Sequence, residues 1–333
     1  MNGPGMPSAT ILVTVPTLAP AGLDILRAEG CHVIFTSRDG GVQEMLQHLA
    51  RGPIDGVISR TLPFGVEAFA AAGSRLKVVS RHGVGFDNVD VATATAKGIP
   101  VLIAPAANGQ SVAELALALM LAVARRLPAR DAAIRAGEWD RSGSGLQLSG
   151  RTLGLVGYGG IGKAVARMAL GFGMRVVVFD PVAKPEPDSA VEMVDSLERL
   201  LPRSNFLSLH VPLTVQTQGM IGKRELEALP RNAVLVNTAR GGLVDETALL
   251  AALASGHLYG AGLDTFASEP LMPNDPLCTR SDVVLSAHMG GSTDAALDAT
   301  ARMAAQHVLA VLNGRPIDRA VCVNPEVLKE TCS

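Results

Sequence analysis

Sustained charge of either sign is missing from this chain of 333 residues. Its 29 Lys and Arg nearly balance 31 Asp and Glu, the formal net charge is -2, and no basic run occurs. That balance argues against a nucleic-acid partner or an anionic membrane surface. Apolar runs of membrane-spanning length are also missing, and the opening MNGPGMPSA has neither the charged nor the apolar region of a signal peptide. Cysteine is scarce. Cys31, Cys278, Cys322 and Cys332 form no C-x-x-C pair and no zinc spacing, so we expect free thiols, no metal and a reducing cytoplasm. Short repeats, low-complexity tracts and charged tails are absent as well.

What is present is apolar residue and glycine. Apolar residues make up 48% and charged residues 18%, the balance of a globular enzyme rich in buried parallel strands, and the length allows two domains. One stretch organises the rest. In Arg151 to Asp180, a strand-length apolar run (Thr152 to Val156) leads into Gly157, Gly159 and Gly162, spaced G-x-G-x-x-G. A helical pattern follows, with Ile161, Val165, Ala169 and Phe172 on one face, then a second apolar run (Met174 to Phe179) closed by Asp180. Strand, glycines, helix, strand and acid in this order form the context that a dinucleotide fingerprint requires. Glycine permits the tight turn, the approach of a pyrophosphate to the backbone, and close helix packing, while the helix start favours phosphate charge. Asp180 is expected to accept hydrogen bonds from the ribose and to repel a 2'-phosphate, which favours NAD over NADP.

In chain order, residues 1–9 carry Gly, Pro, Ser and Asn and are expected to lack fixed structure. Strands are predicted at Ile11–Val15, His32–Thr36, Gly56–Ser59, Lys77–Ser80 and Pro100–Ile103, with helical stretches between them. Asn108 to Leu127 reads as one long helix with Ser111 and Glu114 as a capping box, apolar nearly all round and so suited to a domain or subunit interface. Trp139–Gly150 is a polar, glycine-rich arm. Past Asp180, strands are predicted at Phe206–His210, Ala233–Asn237, Ala261–Asp264 and Val283–Ser286, and a second long helix runs from Ser292 to Gly314. The two long helices read as crossings between domains. The expected fold class is therefore α/β, with two doubly wound parallel-sheet domains. A Rossmann NAD-binding domain (108–291) is inserted in a discontinuous flavodoxin-like substrate or lid domain (1–107 and 292–333).

Ligands of open α/β sheets sit beyond the carboxyl ends of the strands. The residues following the late strands are His210 in LHVPLT, Arg240 in NTARGG, Glu269 in LDTFASEP and His288 in SAHMGG. With GVGFDNVD (83–90), NGQSVAE (108–114) and GYGGIG (157–162), these segments closely resemble the D-isomer-specific 2-hydroxyacid dehydrogenases from about Thr10 to Val323. The resemblance implies Arg240, Glu269 and His288 as the catalytic set. It implies cofactor contacts at Gly157, Gly159, Gly160, Ile161, Gly162, Asp180, His210, Pro212, Thr238, Ala239 and Asp264. For His210 a purely structural role stays equally open, and for Asp264 a loop anchor is the alternative. An imidazole can move the hydroxyl proton, a carboxylate can orient it, and an arginine fork suits a carboxylate beside a carbonyl. Ala287, where many relatives carry proline, and Met289, in place of a branched apolar residue, are departures from the family pattern.

For the substrate, the backbone amides of His82, Gly83, Val84 and Gly85 are candidates for binding the carboxylate. Arg60 and Arg81 resemble positions at which D-3-phosphoglycerate dehydrogenases hold a phosphate, and Trp139-Asp140-Arg141 resembles an arm reaching from a partner subunit. A second anionic group, as in 3-phosphoglycerate or sulfolactate, is thus expected, with glyoxylate or hydroxypyruvate as the alternative. The end at Ser333 is expected to leave no room for the regulatory domain of many phosphoglycerate dehydrogenases. Formate dehydrogenases resemble the chain too, but with a Gln–His pair, against which Glu269 argues. An NAD-sensing corepressor is the rival of a different class, which the short ends disfavour. The arm and the Asn108 helix lead us to expect a homodimer.

Overall fold

The computed structural model describes residues 9–105, 107–184 and 189–328. The chain divides into two compact units, Met1–Asn108 with Ser292–Ser333, and Gly109–Gly291. Residues 1–8 lie outside the described part, as does Cys332, so the expectations for them rest on sequence alone.

The first unit alternates β1 (Thr10–Val13), α1 (Pro20–Ala28), β2 (His32–Phe35), α2 (Gly41–Arg51), β3 (Gly56–Ser59), α3 (Val66–Ala71), β4 (Val78–Arg81), α4 (Val91–Ala96) and β5 (Val101–Leu102). Its strands are all parallel, in the order β2-β1-β3-β4-β5. Every residue of β3 and β4 is buried, because helices cover both faces. One cover, the last helix of the chain, packs Ala301, Ala304, Ala305 and Val308 against Ile11, Val13, Ile58 and Val78. Small side chains there let the helix backbone lie close to the sheet and to α1.

The second unit opens with α5 (Gly109–Arg125) and α6 (Leu127–Arg135). It continues with β6 (Thr152–Val156), α7 (Gly160–Gly171), β7 (Arg175–Phe179), β8 (Val191–Val194), α8 (Leu197–Leu200), β9 (Phe206–Leu209), α9 (Lys223–Ala228), β10 (Ala233–Asn237), α10 (Glu246–Ala254), β11 (Leu258–Leu263) and β12 (Val283–Leu285). The long helix α11 (Asp294–Leu312) then returns to the first unit, capped by Thr293, whose side chain accepts from the Ala296 amide. The second sheet is parallel in the order β12-β11-β10-β9-β6-β7-β8. Chain direction across it reverses between β6 and β9, and β6, β9 and β10 are buried along their whole length.

Three expectations are corrected. Helix α5 starts at Gly109, so Ser111 is a buried residue of its first turn and does not stand at the N-cap position; Glu114 accepts from the Gln110 side chain. Strand β8 is an addition, because VEMV mixes a charge into an edge strand and carries little hydrophobic signal. Phe172, expected on one helical face with Ile161, Val165 and Ala169, is the residue after α7 and 44% exposed, since the i+11 spacing carries it past Gly171. No helix of the described residues is long and apolar enough to cross a membrane.

Candidate active site

The reversal between β6 and β9 is where an open α/β sheet leaves a crevice for ligand. Gly157 follows β6 there, its N–H donating to Phe179 O at 2.9 Å, while His210 follows β9 and its N–H donates to Val156 O at 2.7 Å. Gly157 has φ +97°, and a Cβ on it would stand 2.5 Å from the His210 carbonyl oxygen. Only glycine fits both the dihedral and the space. A Cβ on Gly162 would overlap the Gly157 carbonyl, so α7 starts in backbone contact with the turn. At Gly159 and Gly160 the outcome is opposite: an added Cβ would meet nothing within 4 Å. The turn is closed behind and open in front, at the amino end of a twelve-residue helix.

Asp180 closes this turn by a route that motif reading missed. Its Oδ2 accepts from Tyr158 N at 2.7 Å, and its Oδ1 from Val182 N at 2.8 Å and Ala183 N at 2.9 Å. Partial burial pushes the carboxyl upward, but these three amides outweigh it and hold it below its usual range. A carboxylate has about four acceptor sites, so one remains for a ribose hydroxyl, and the charge that repels a 2'-phosphate is kept.

The next strand ends carry unpaired polar atoms. His210 Nδ1, Thr238 Oγ1 and Thr265 Oγ1, following β9, β10 and β11, are buried and have no partner among the described residues. His210 Nε2 lies 2.9 Å from Ser208 Oγ, and burial of the ring lowers its pKa to about 4, so the imidazole is neutral. A row of unsatisfied groups beside an open glycine turn fits a long polar ligand such as a dinucleotide. Thr265 and Ser208 were not singled out in the sequence; the one signal for Thr265 is a hydroxyl residue directly after a strand. Pro212 is exposed, and its carbonyl accepts from Thr217 Oγ1.

Beyond β10, Asn237 builds the turn that presents Arg240: its Oδ1 accepts from Ala239 N and its Nδ2 donates to Arg240 O at 2.8 Å. Arg240 Nη1 donates to Ala239 O at 2.7 Å. The following Gly241 lies against the loop after β11, where a Cβ would overlap the backbone of Phe266 and Ala267. Glu246 Oε1 ties the same loop from α10 through Ala267 N at 2.8 Å. In that loop Glu269 Oε1 accepts from Phe266 N at 3.1 Å, which leaves Oε2 to meet His288 Nδ1 at 2.8 Å. Glu269 and His288 are therefore brought together, and Arg240 is joined to them through loop backbone.

His288 follows β12 with φ +53°, a left-handed conformation that a residue with a Cβ rarely adopts. Asp264 holds it there. Its carbonyl accepts from His288 N at 2.8 Å, and its carboxylate accepts from Met289 N at 2.7 Å and Gly290 N at 2.9 Å. Asp264 is 1% exposed and acts as the loop anchor. The anchor takes backbone amides, so methionine at 289 leaves it intact.

In the first unit, Arg81 is buried, and the structure gives it a task other than the expected one. Its Nε donates to Gly85 O at 2.8 Å, and its Nη1 to Ser59 O at 2.7 Å and to Arg60 O. It shapes the turn of His82, Gly83, Val84 and Gly85 from behind and does not present a free fork. Arg60 is half-buried, and its Nη2 donates to Ser292 Oγ at 2.9 Å. No carboxylate pairs with it among the described residues, and burial lowers its pKa.

Comparison with known proteins gives four findings. The family model described as D-isomer specific 2-hydroxyacid dehydrogenase, NAD binding domain, matches residues 117–290. The chain is 44% identical over 250 residues to a D-3-phosphoglycerate dehydrogenase of Methanocaldococcus jannaschii, covering 74% of this chain and 48% of that one. It is 43% identical to a glyoxylate reductase of Thermococcus litoralis, covering 72% of this chain and 75% of that one. Its structure is similar to a crystal structure from Thermus thermophilus, with a TM-score of 0.86, 40% identity, and coverage of 94% and 99%. It thus spans about half the length of the phosphoglycerate dehydrogenase it matches.

Proposed function

The chain belongs to the D-isomer-specific 2-hydroxyacid dehydrogenase family, and on that premise we propose that it interconverts a D-2-hydroxy acid and its 2-oxo acid with NAD. The observation carrying this reading is the Glu269–His288 pair, on the same sheet edge as the Gly157–Gly162 turn. Bound NAD supplies the hydride site at its nicotinamide C4. His288 holds Nδ1 against Glu269, so Nε2 is the atom that removes the hydroxyl proton or returns it to the carbonyl oxygen. Glu269 fixes the tautomer and favours the imidazolium as it forms. Arg240 binds the substrate carboxylate and carbonyl through its planar fork. Asp180 selects NAD over NADP by charge.

The substrate's far end carries a second anionic group, and Arg60 is its ligand. Among the described residues no carboxylate pairs with this half-buried guanidinium, which suits it to take an anion by charge-assisted hydrogen bonds. Because Arg81 serves the turn, the chain offers this group one arginine where the sequence suggests two, and a glyoxylate or hydroxypyruvate substrate is the second reading. NADH oxidation with 3-phosphohydroxypyruvate, sulfopyruvate, hydroxypyruvate and glyoxylate tests both. Arg60→Ala is expected to cut kcat/KM roughly tenfold or more for the first two and much less for glyoxylate, as loss of a charge-assisted contact requires. Equal losses across the panel reject the anionic group, and no turnover on any of the four rejects the dehydrogenase.

The partner is a second copy of the chain. Leu117, Ala118 and Leu121 of α5 with Met168 and Phe172 line an open apolar groove of about 430 Å³ on the second unit. Nearby in sequence, Leu127, Ile134 and Trp139 are 60%, 52% and 80% exposed. Exposed apolar surface of this kind is suited to burial in an oligomer. Light scattering is expected to give twice the 34.5 kDa chain mass, and Leu121→Glu to return it to the single mass. A monomeric parent protein removes the proposal. Cys31, Cys278 and Cys322 are free, in keeping with a place in the reducing cytoplasm.

A further inference from the structure

The first unit has its own crevice position. Strand order in its sheet reverses between β1 and β3, and Thr14 and Arg60 follow those two strands. Arg60 N donates to Thr14 Oγ1 at 3.0 Å. One strand over, β4 ends at Arg81 in register with Ser59, and His82 N donates to Ser59 O at 2.8 Å. Register therefore sets His82 beside Arg60 on the carboxyl edge. Ser292, the residue before the Thr293 cap of α11, receives the Arg60 guanidinium.

The groups bearing on the His82 ring are few. Burial is the largest influence, followed by the Arg60 charge from beyond β3; its own carbonyl, the Arg81 charge from β4 and the Leu297 carbonyl of α11 follow. Burial and the two cations prevail over the two carbonyls and lower its pKa to about 4. The imidazole is thus neutral near pH 7, placed where an arginine has no carboxylate partner among the described residues. No part of the proposed proton transfer uses it.

We propose that His82 is a specificity-determining residue of this enzyme, the group that separates a substrate ending in a phosphomonoester from one ending in a neutral hydroxyl. The inference rests on the dehydrogenase reading and on Arg60 as the anion ligand. A dianion against Arg60 reverses the sign of the field at His82, and an adjacent negative charge favours the imidazolium. His82 then takes a proton from solvent and becomes a second cation for the ester. A hydroxyl at that point leaves it neutral. The sign follows: the advantage of the phosphorylated substrate is largest at the acid end of the working range and declines as pH rises.

The test compares kcat/KM for 3-phosphohydroxypyruvate and hydroxypyruvate, which differ only in the phosphate, with NADH at pH 6.5 and 8.5. The second phosphate ionisation lies near 6, so the ester is mostly dianionic at both values. The phospho-to-hydroxy ratio of the parent protein is expected to rise roughly three- to fourfold on going from pH 8.5 to 6.5, as an adjacent dianion that raises the His82 pKa by about three units, the upper end of what an opposite charge does, requires. In His82→Gln the rise is lost, and the ratio at pH 6.5 falls by about the same three- to fourfold, the whole of the gain that protonation supplied. A ratio measured on one preparation does not depend on the folded fraction, and His82→Asn repeats it with a smaller side chain. If both variants keep the parent's ratio and slope while Arg60→Ala lowers the ratio, His82 is structural and this inference falls alone. If Arg60→Ala leaves the ratio unchanged, the anionic-group reading falls and takes the inference with it. Absence of turnover on either substrate overturns the dehydrogenase reading itself.

Discussion

On the proposed dehydrogenase activity, His288→Ala is expected to lower kcat with 2-oxo acids roughly 10²–10⁴-fold, the usual contribution of a positioned general acid–base group. NADH binding, followed by its fluorescence, stays within a few-fold of the parent. The two outcomes separate because the histidine lies after β12, four strands across the sheet from the Gly157 turn after β6. Alanine in its place must still adopt a positive φ, which costs about 1–2 kcal/mol for any residue with a Cβ. That strain is already borne by the histidine, so the variant is expected to fold. Retained turnover ends the assignment of His288 as the proton carrier.

Asp264→Asn is expected to have the next largest cost, although the side chain changes by one atom. The carboxylate uses both oxygens as acceptors, one for Met289 N and one for Gly290 N. An amide can offer one oxygen, and its NH₂ then faces an N–H. One buried donor is left unsatisfied, at about 1–3 kcal/mol. The loop that keeps His288 at φ +53° is loosened by that amount. If the cost is expressed in positioning the histidine, kcat falls roughly ten- to hundredfold. The melting midpoint is expected to drop by a few degrees, about 2–4 °C per kcal/mol for a unit of this size. A kcat unchanged beside a lowered midpoint would mean that Asp264 supports stability alone.

The two sheets show which signals a sequence carries openly. Runs such as TLGLV, FLSL and AVLVN are buried from end to end, and uninterrupted apolarity bounded by glycine or polar residues made them legible. VEMV of β8 was not, because a half-covered edge strand tolerates a charge. The helix start at Gly109 was displaced for a similar reason: S-x-x-E reads as a cap only if the preceding residues are not themselves helical. Among site residues, those named by position after a strand were legible as residues. Their partners were not. Nothing local in the sequence couples Asp264 to the amides of Met289 and Gly290, or Glu246 to Ala267.

Order along the chain is enough to establish that a strand, three glycines, a helix and Asp180 form one unit, and that Arg240, Glu269 and His288 follow late strands. Each of these depends on neighbours within a few residues, where backbone dihedrals and hydrophobic period are local properties. What each charged group does with its hydrogen bonds depends on chain that is distant in sequence, and tertiary structure decided it. It turned Arg81 inward to the carbonyls of Ser59, Arg60 and Gly85, and gave Arg60 no carboxylate partner among the described residues. It occupied Asp180 with three amides and set His288 against Glu269 at 2.8 Å. A buried polar group must find a partner wherever the fold supplies one, and that partner is chosen by proximity in space, which sequence separation does not encode.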